Sequence, residues 1–358
     1  MYTDRQKFIS WLKARNLYSL AHSHYSVFKK VYTDMLRVKR RDDILILSDL
    51  GQKNMRVAPV MAACYLMAAR DLSLQARLVL QKVKQAKEVA DSNVVQALQF
   101  IQEDNHVNLC LTGKLGSLKH LGKSFRRLVH LKRLHFTSTM NLQELDTKGF
   151  RYIADSIDVD LRKMQMDGER IRRILDKGSR VTITTPAGTY LKLSIKGMQA
   201  IANDGRYHEK GGNIPTGEVY IPPRGAHVDG KVVIDGSVRT RYGTIVGGPP
   251  VTLEVRSGNV VSIGGLGRNA KLLRKTLEWA KRASRYHWGV RRIGELGIGI
   301  NPRAQIVGPT VINEKTRGTA HIAIGSNAWF GGTVYSIIHL DQVFRNPRIW
   351  VDDKRLIV

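Results

Sequence analysis

Gly294–Asp341, GELGIGINPRAQIVGPTVINEKTRGTAHIAIGSNAWFGGTVYSIIHLD, decides the fold of the second half of this chain. Three strand-like runs punctuate it: Glu295–Ile300, His321–Gly325 and Ile337–Asp341. Successive side chains of a strand point to opposite faces of its sheet. One face therefore carries Leu296, Ile298 and Ile300, then Ile322 and Ile324, then Ile338 and Leu340. The other carries Glu295, Gly297 and Gly299, then His321, Ala323 and Gly325, then His339 and Asp341. A greasy face suited to a core thus backs a face of carboxylates and imidazoles. In the first two runs the ligand-type residue is followed on its face only by glycine or alanine, which leaves room against it.

The sequence upstream of this stretch agrees with a β-rich half. From Val181 onward glycine, β-branched residues and turns dominate. Val181–Thr185 and Tyr190–Ile195 flank Pro186-Ala-Gly-Thr189 in a strand–turn–strand pattern. Val232–Asp235, Val251–Arg256 and Val260–Ile263 continue it, a helix is expected over Asn269–Tyr286, and Arg348–Val358 reads as a hairpin. Before residue 180 the pattern is different. A helical region over 4–40 leads to the buried-strand run Ile44–Leu47, and then helices and strands alternate. Helices are expected over 56–71, 89–103 and 114–128, strands over 77–80, 106–111 and 131–137, and a long helix over 147–177. The fold class predicted is an α/β N-terminal domain with a parallel sheet over residues 1–180, followed by a β-rich α+β metal-binding domain over 181–358. No glycine-rich dinucleotide fingerprint follows any of the early strands.

A length of 358 residues suits two domains, and 42% hydrophobic residues suit a globular chain. Two cysteines, Cys64 and Cys110, argue against a disulfide framework and a thiolate zinc site. The start has no apolar run of the signal-peptide kind, and the apolar run Val57–Ala69 is too short to span a bilayer. The expectation is a cytoplasmic protein with no membrane partner. The formal net charge of +28 points to polyanionic partners.

Glu218, Glu295, His321, His339 and Asp341, with Glu314 as a further acid, form a thiolate-free donor set. Carboxylates and imidazoles of this kind suit zinc, cobalt or manganese. Their number is enough for two divalent metal ions sharing a carboxylate and activating a water. His339 and Asp341 stand one residue apart and so aim at one point.

The motifs Thr185–Thr189, Gly212–Val219, Gly294–Pro302, Glu314-Lys315, Gly318–Gly325 and His339-Leu-Asp341 run in order through this half. On these the chain resembles the aminopeptidase T family of dinuclear metallo-aminopeptidases. The resemblance implies that Glu218, Glu314, His321, His339 and Asp341 are metal ligands. It implies that Glu295 is both a ligand and the catalytic general base at the bridging water. It also implies peptide substrates and a homodimer. One departure stands out: where relatives place a tyrosine seven residues after the first histidine, this chain has Ala328, followed by Trp329, and neither offers a hydroxyl donor. Tyr335 is the nearest downstream candidate for that role.

Positive charge is clustered. Lys114–His135 contains no acid, Arg268–Arg292 contains one, Glu278, and Arg37–Arg41 forms a third basic group. Lys114, Lys119, Lys123, Arg126, Arg127, Lys132, Arg133, Arg274, Lys275 and Arg282 are the candidates for contact with a phosphate backbone. The function expected is a metal-dependent aminopeptidase that releases N-terminal residues through a two-metal-activated water. The alternative is an aminopeptidase-like protein of weak or no activity that binds ribosomal RNA or the ribosome.

Overall fold

The computed structural model describes residues 2–85, 87–122, 124–209 and 211–358, which form two compact units. The first comprises the chain up to Val159 together with Gly205–Thr216; the second comprises Asp160–Asp204 and Gly217–Val358. The division thus falls at Val159–Asp160, whereas the sequence suggested residue 180. The long helix expected over 147–177 is in fact two helices, Phe150–Ile157 and Leu161–Lys177. The second starts afresh where the Asp160 carboxylate accepts from Lys163 N at 3.0 Å, an N-cap. It buries the stripe Met164, Gly168, Ile171 and Leu175 and packs on the strands Ile201–Asn203 and Glu218–Ile221 of the second unit.

The first unit is α/β. Its sheet is parallel, in the order Gln75–Gln81, Asp43–Asp49, His106–Cys110, His135–Thr139, Gly212–Asn213. The apolar run Ile44–Leu47 is buried as a near-central strand should be. Helix Val57–Asp71 is buried all round from Val57 to Ala69, which explains an apolar run with no polar face. The helical region expected over 4–40 is broken into Arg5–Lys13, Tyr18–His24, a 3-10 turn Tyr25–Phe28 and a π turn Val31–Met35, with Asn16 at φ 55° in the first gap. The helix expected over 114–128 forms only as Phe125–Leu131. Gly116 at φ +90° and Gly122 at φ +123° interrupt the earlier part, and a Cβ at Gly116 would lie 2.6 Å from Ala90 N.

The second unit holds two seven-stranded antiparallel sheets. One runs Asn259–Gly264, Val251–Arg256, Val228–Ile234, Tyr190–Ser194, Arg180–Thr184, Arg348–Val351, Lys354–Leu356. The other runs Gly243–Val246, Ser237–Thr240, His339–Arg345, Thr319–Gly325, Ile293–Gly299, Glu218–Ile221, Ile201–Asn203. This second sheet carries the candidate ligands. Helix Arg268–Ala283 buries Ala270, Leu273, Leu277 and Ala280. No helix among the described residues is long and apolar enough to cross a membrane.

Candidate metal centre

Register places the ligand-type residues in one patch. Across the sheet Asp341 pairs with Ala323 and Ala323 with Glu295; His321 pairs with Gly297, and Gly299 with Glu218. Residues directly opposite share a face, so Glu218, Glu295, His321, His339 and Asp341 all emerge on the same side. The expected alternation holds for the strand of Leu296 and Ile298, but the strand starts at Ile293 and contains a bulge. Ile293 pairs with Ile324 and Glu295 with Ala323, so Gly294 is the extra residue. The bulge switches the parity of the strand and lets Ile293 go to the core while Glu295 goes to the patch. Gly294 is needed there, because a Cβ would lie 2.4 Å from Gly325 O. Asn327, buried, braces the bulge by donating Nδ2 to Gly294 O at 2.8 Å while its Oδ1 accepts from Val334 N at 2.8 Å.

The room left by small neighbours is used by a ligand itself. A Cβ on Gly297 would lie 2.1 Å from both Cε1 and Nε2 of His321, so the imidazole occupies the space above that glycine. From there His321 Nε2 is 3.0 Å from Glu295 Oε1 and 3.9 Å from Glu218 Oε2. His339 Nε2 is 3.0 Å from Asp341 Oδ1 and 3.5 Å from Glu295 Oε2. His339 Nδ1 donates to Ser326 O at 2.8 Å, which fixes the ring and turns Nε2 toward the carboxylates.

Glu314 joins from outside the sheet, at the end of the one-turn helix Thr310–Asn313. Beside it is a residue to which the sequence assigned no role. Lys315 is fully buried, with Nζ 2.5 Å from Glu314 Oε1 and in contact with Glu218 Oε1. A Glu-Lys pair gives no periodic signal, since its meaning depends on the distant Glu218. Asn203, which donates Nδ2 to Glu218 Oε1 at 3.2 Å, was equally hidden.

Charges set the protonation. Burial alone would lower the His321 pKa, but the hydrogen bond to Glu295 and the charges of Asp341, Glu295 and Glu218 raise it to about 9. At His339 burial is likewise overcome, by the charge and hydrogen bond of Asp341 and by Glu295, giving about 10. Burial raises Glu314 to about 8 against the opposing charge of Lys315. Asp341 is held well below the usual carboxylate range: burial opposes this, but the charge and hydrogen bond of His339 prevail.

Two overlapping donor groups lie within 4.8 Å: Glu295, His321 and Asp341, and Glu218, Glu314 and His321. His321 Nδ1 is buried without a hydrogen-bond partner among the described residues, and Asp341 Oδ1 makes no hydrogen bond there, its charge being met by His339. Donor chemistry and orphaned atoms both fit a divalent ion.

Aromatic rings border the patch. Trp329 lies edge-on to His339 at 4.7 Å, Phe330 contacts Trp329 at 5.2 Å, and Tyr220 contacts Phe330 at 5.2 Å. Trp329 is partly exposed. Ala328 begins the 3-10 turn that carries Trp329 and Phe330. Tyr335 is exposed and packs on Tyr286 instead.

The basic candidates are not alike. Lys132 Nζ donates to the carbonyls of Leu98, Gln99 and Ile101, closing the end of helix Ser92–Phe100. Arg133 pairs with Glu103 and Asp104, and Arg274 donates to Ile263 O and Gly265 O. Lys114 is half-buried in a backbone bridge with Lys84. Lys119, Arg126, Arg127, Lys275 and Arg282 are exposed, and Lys123 lies outside the described residues.

A family model described as NicX, 2,5-dihydroxypyridine 5,6-dioxygenase, matches residues 160–358. No curated protein matches the sequence. Among solved structures, 2,5-dihydroxypyridine dioxygenase from Pseudomonas putida KT2440 aligns at TM-score 0.71 and 16% identity, over 94% of this chain and 96% of that one. Wild-type AmpT, an aminopeptidase T, from Thermus thermophilus aligns at TM-score 0.62 and 12% identity, over 94% of this chain and 98% of that one. The fold is thus related to aminopeptidase T, as the motifs implied, but the family that matches is the dioxygenase one.

Two outcomes follow from this geometry. Gly297→Ala should push the His321 ring out of place and weaken divalent-ion binding by at least about tenfold, roughly the lower bound for disturbing the support of a ligand; calorimetric titration with manganese or zinc checks it, and unchanged affinity contradicts the packing described. The pH effect has a definite sign. Imidazolium cannot ligate, and both imidazoles hold their protons at neutral pH because their pKa values stand at about 9 and about 10. Metal binding at pH 7 should therefore release protons and tighten as pH rises. Titrations in buffers of different ionisation enthalpy would show this, and a pH-independent affinity would refute it.

Proposed function

Because the chain belongs to the NicX family of 2,5-dihydroxypyridine 5,6-dioxygenases, we propose that it is a single-metal oxygenase that opens a small hydroxylated aromatic ring. The observation that carries this reading is the set His321, His339 and Asp341 on one sheet face, two imidazoles and one carboxylate, with Glu295 beside them. Such a set with open positions suits non-haem iron(II) oxygenases. A ferrous ion held there would supply the redox chemistry that lets dioxygen attack a stable ring.

The chain's own residues have separable tasks. Ser326 O holds the His339 ring through Nδ1 and keeps Nε2 for the ion. Trp329, Phe330 and Tyr220 offer a wall for a flat ring. Glu295 Oε2, 3.5 Å from His339 Nε2, is the acceptor for a ring hydroxyl proton. Ala328, which costs a peptidase an oxyanion donor, costs this chemistry nothing, because no peptide carbonyl is attacked.

A second reading, a two-metal aminopeptidase, is favoured by Glu218, Glu295 and Glu314 all lying in the patch. One experiment separates them. Protein loaded anaerobically with iron(II) is given 2,5-dihydroxypyridine or related dihydroxylated rings in an oxygen electrode. In parallel, zinc-, cobalt- and manganese-loaded protein is given aminoacyl chromogenic substrates. Oxygen uptake with loss of ring absorbance is expected, falling by more than about a hundredfold in His339→Ala, beyond the usual cost of an outer-shell change. Peptide cleavage without oxygen uptake would favour the aminopeptidase.

A further inference from the structure

We propose that the Lys315 ammonium is a built-in substitute for a second metal ion, and that it makes this centre a one-ion site. The inference rests on the reading above that a metal is held at all, and deepens it by assigning the residue that sets the number.

The argument begins with the two donor groups. Glu218, Glu314 and His321 would by themselves make a three-donor cation site, with ligand atoms within 4.8 Å of one another. A cation is already there. Lys315 Nζ sits 2.5 Å from Glu314 Oε1 and contacts Glu218 Oε1. The other group, Glu295, His321 and Asp341, with His339 beside it, has no lysine contact. Because His321 is common to both groups, filling the first place with an ammonium also frees that imidazole for the second.

Lys315 is not a side chain that wandered in. It has no solvent exposure, and a buried lysine persists only when paired. Its backbone is fixed on both sides: Lys315 N donates to Ile312 O at 3.1 Å, and Asn301 N donates to Lys315 O at 2.8 Å. Gly299 across the way admits this segment closely, since a Cβ there would lie 2.2 Å from Thr316 O. Swinging the ammonium out would break these contacts and leave two carboxylates buried without a counter-charge.

Charge balance points the same way. The patch holds four carboxylates, Glu218, Glu295, Glu314 and Asp341, and one permanent cation, Lys315. A single divalent ion beside the ammonium nearly neutralises them. Two divalent ions would do so only without the ammonium; with it, the buried patch would carry excess positive charge, which a low-dielectric site penalises. The lysine therefore disfavours the paired-ion arrangement on which a bridging water depends.

The test counts ions rather than turnover. Full-length protein, stripped with chelator, is saturated with manganese, dialysed and measured by elemental analysis, with manganese spin resonance to detect coupled pairs. Wild type should retain about one ion per chain and show no coupled pair, and Lys315→Ala about two with a coupled signal, as in two-metal sites. Lys315→Arg, which keeps the charge, should stay at about one. If Lys315→Ala fails to fold, Lys315→Met, which keeps the stem's bulk, replaces it, and the wild-type count alone still decides. Two ions in wild type, or no gain in the neutral variant, overturns the proposal and leaves the metal-enzyme reading standing. No ion in wild type with one gained in the variant does the reverse. No ion in either overturns both.

Discussion

The His321 imidazole lies in the space where Gly297 has no side chain, and the site is arranged around that contact. With a Cβ at 2.1 Å, the ring and any larger residue are mutually exclusive. The glycine is therefore as much part of the centre as the histidine. Its position follows from register: the two residues face each other across neighbouring strands, and one slip of register would send the histidine into the core. The hydrophobic face of Leu296, Ile298, Ile322 and Ile324 forbids such a slip, because it would expose four buried side chains. Core packing on one side of the sheet thus secures ligand geometry on the other.

The same burial creates the electrostatic problem that the centre solves. Carboxylates taken out of water need counter-charge. Without metal that charge comes from protons on His321 and His339 and from Lys315. Two of these cations are exchangeable and one is not. A divalent ion can displace the imidazole protons, whereas the ammonium is held by its own covalent tether. Electrostatics and chain connectivity together divide the patch into a part open to metal and a part already occupied.

Much of this was legible in the sequence, and the illegible parts share a cause. Period-two alternation set out the ligand face, the core face and the donor set, because both lie within single strands. The parallel sheet of the first half was legible from alternating strands and helices. Features that depend on distant pairings were not. The Gly294 bulge shows only once Ile293 is seen opposite Ile324. Lys315 acquires meaning only beside Glu218. The break between Phe150–Ile157 and Leu161–Lys177 lies inside a stretch whose helical period runs on, and only the Asp160 cap marks it. Charge clusters were legible as clusters, but Lys132, Arg133 and Arg274 bind their own backbone or nearby acids, which composition cannot reveal. Motif order pointed to aminopeptidase T; the fold is related to it, and the family is the dioxygenase one.

The claim at the centre of this account is that one ion sits on His321, His339 and Asp341. X-ray absorption at the K-edge of the bound metal tests it directly. The account predicts a shell of nitrogen and oxygen neighbours with back-scattering from about two imidazole rings and no metal neighbour, as a two-histidine, one-carboxylate site requires. A metal–metal vector at roughly 3.5–4 Å, the spacing of paired-ion hydrolases, would contradict it.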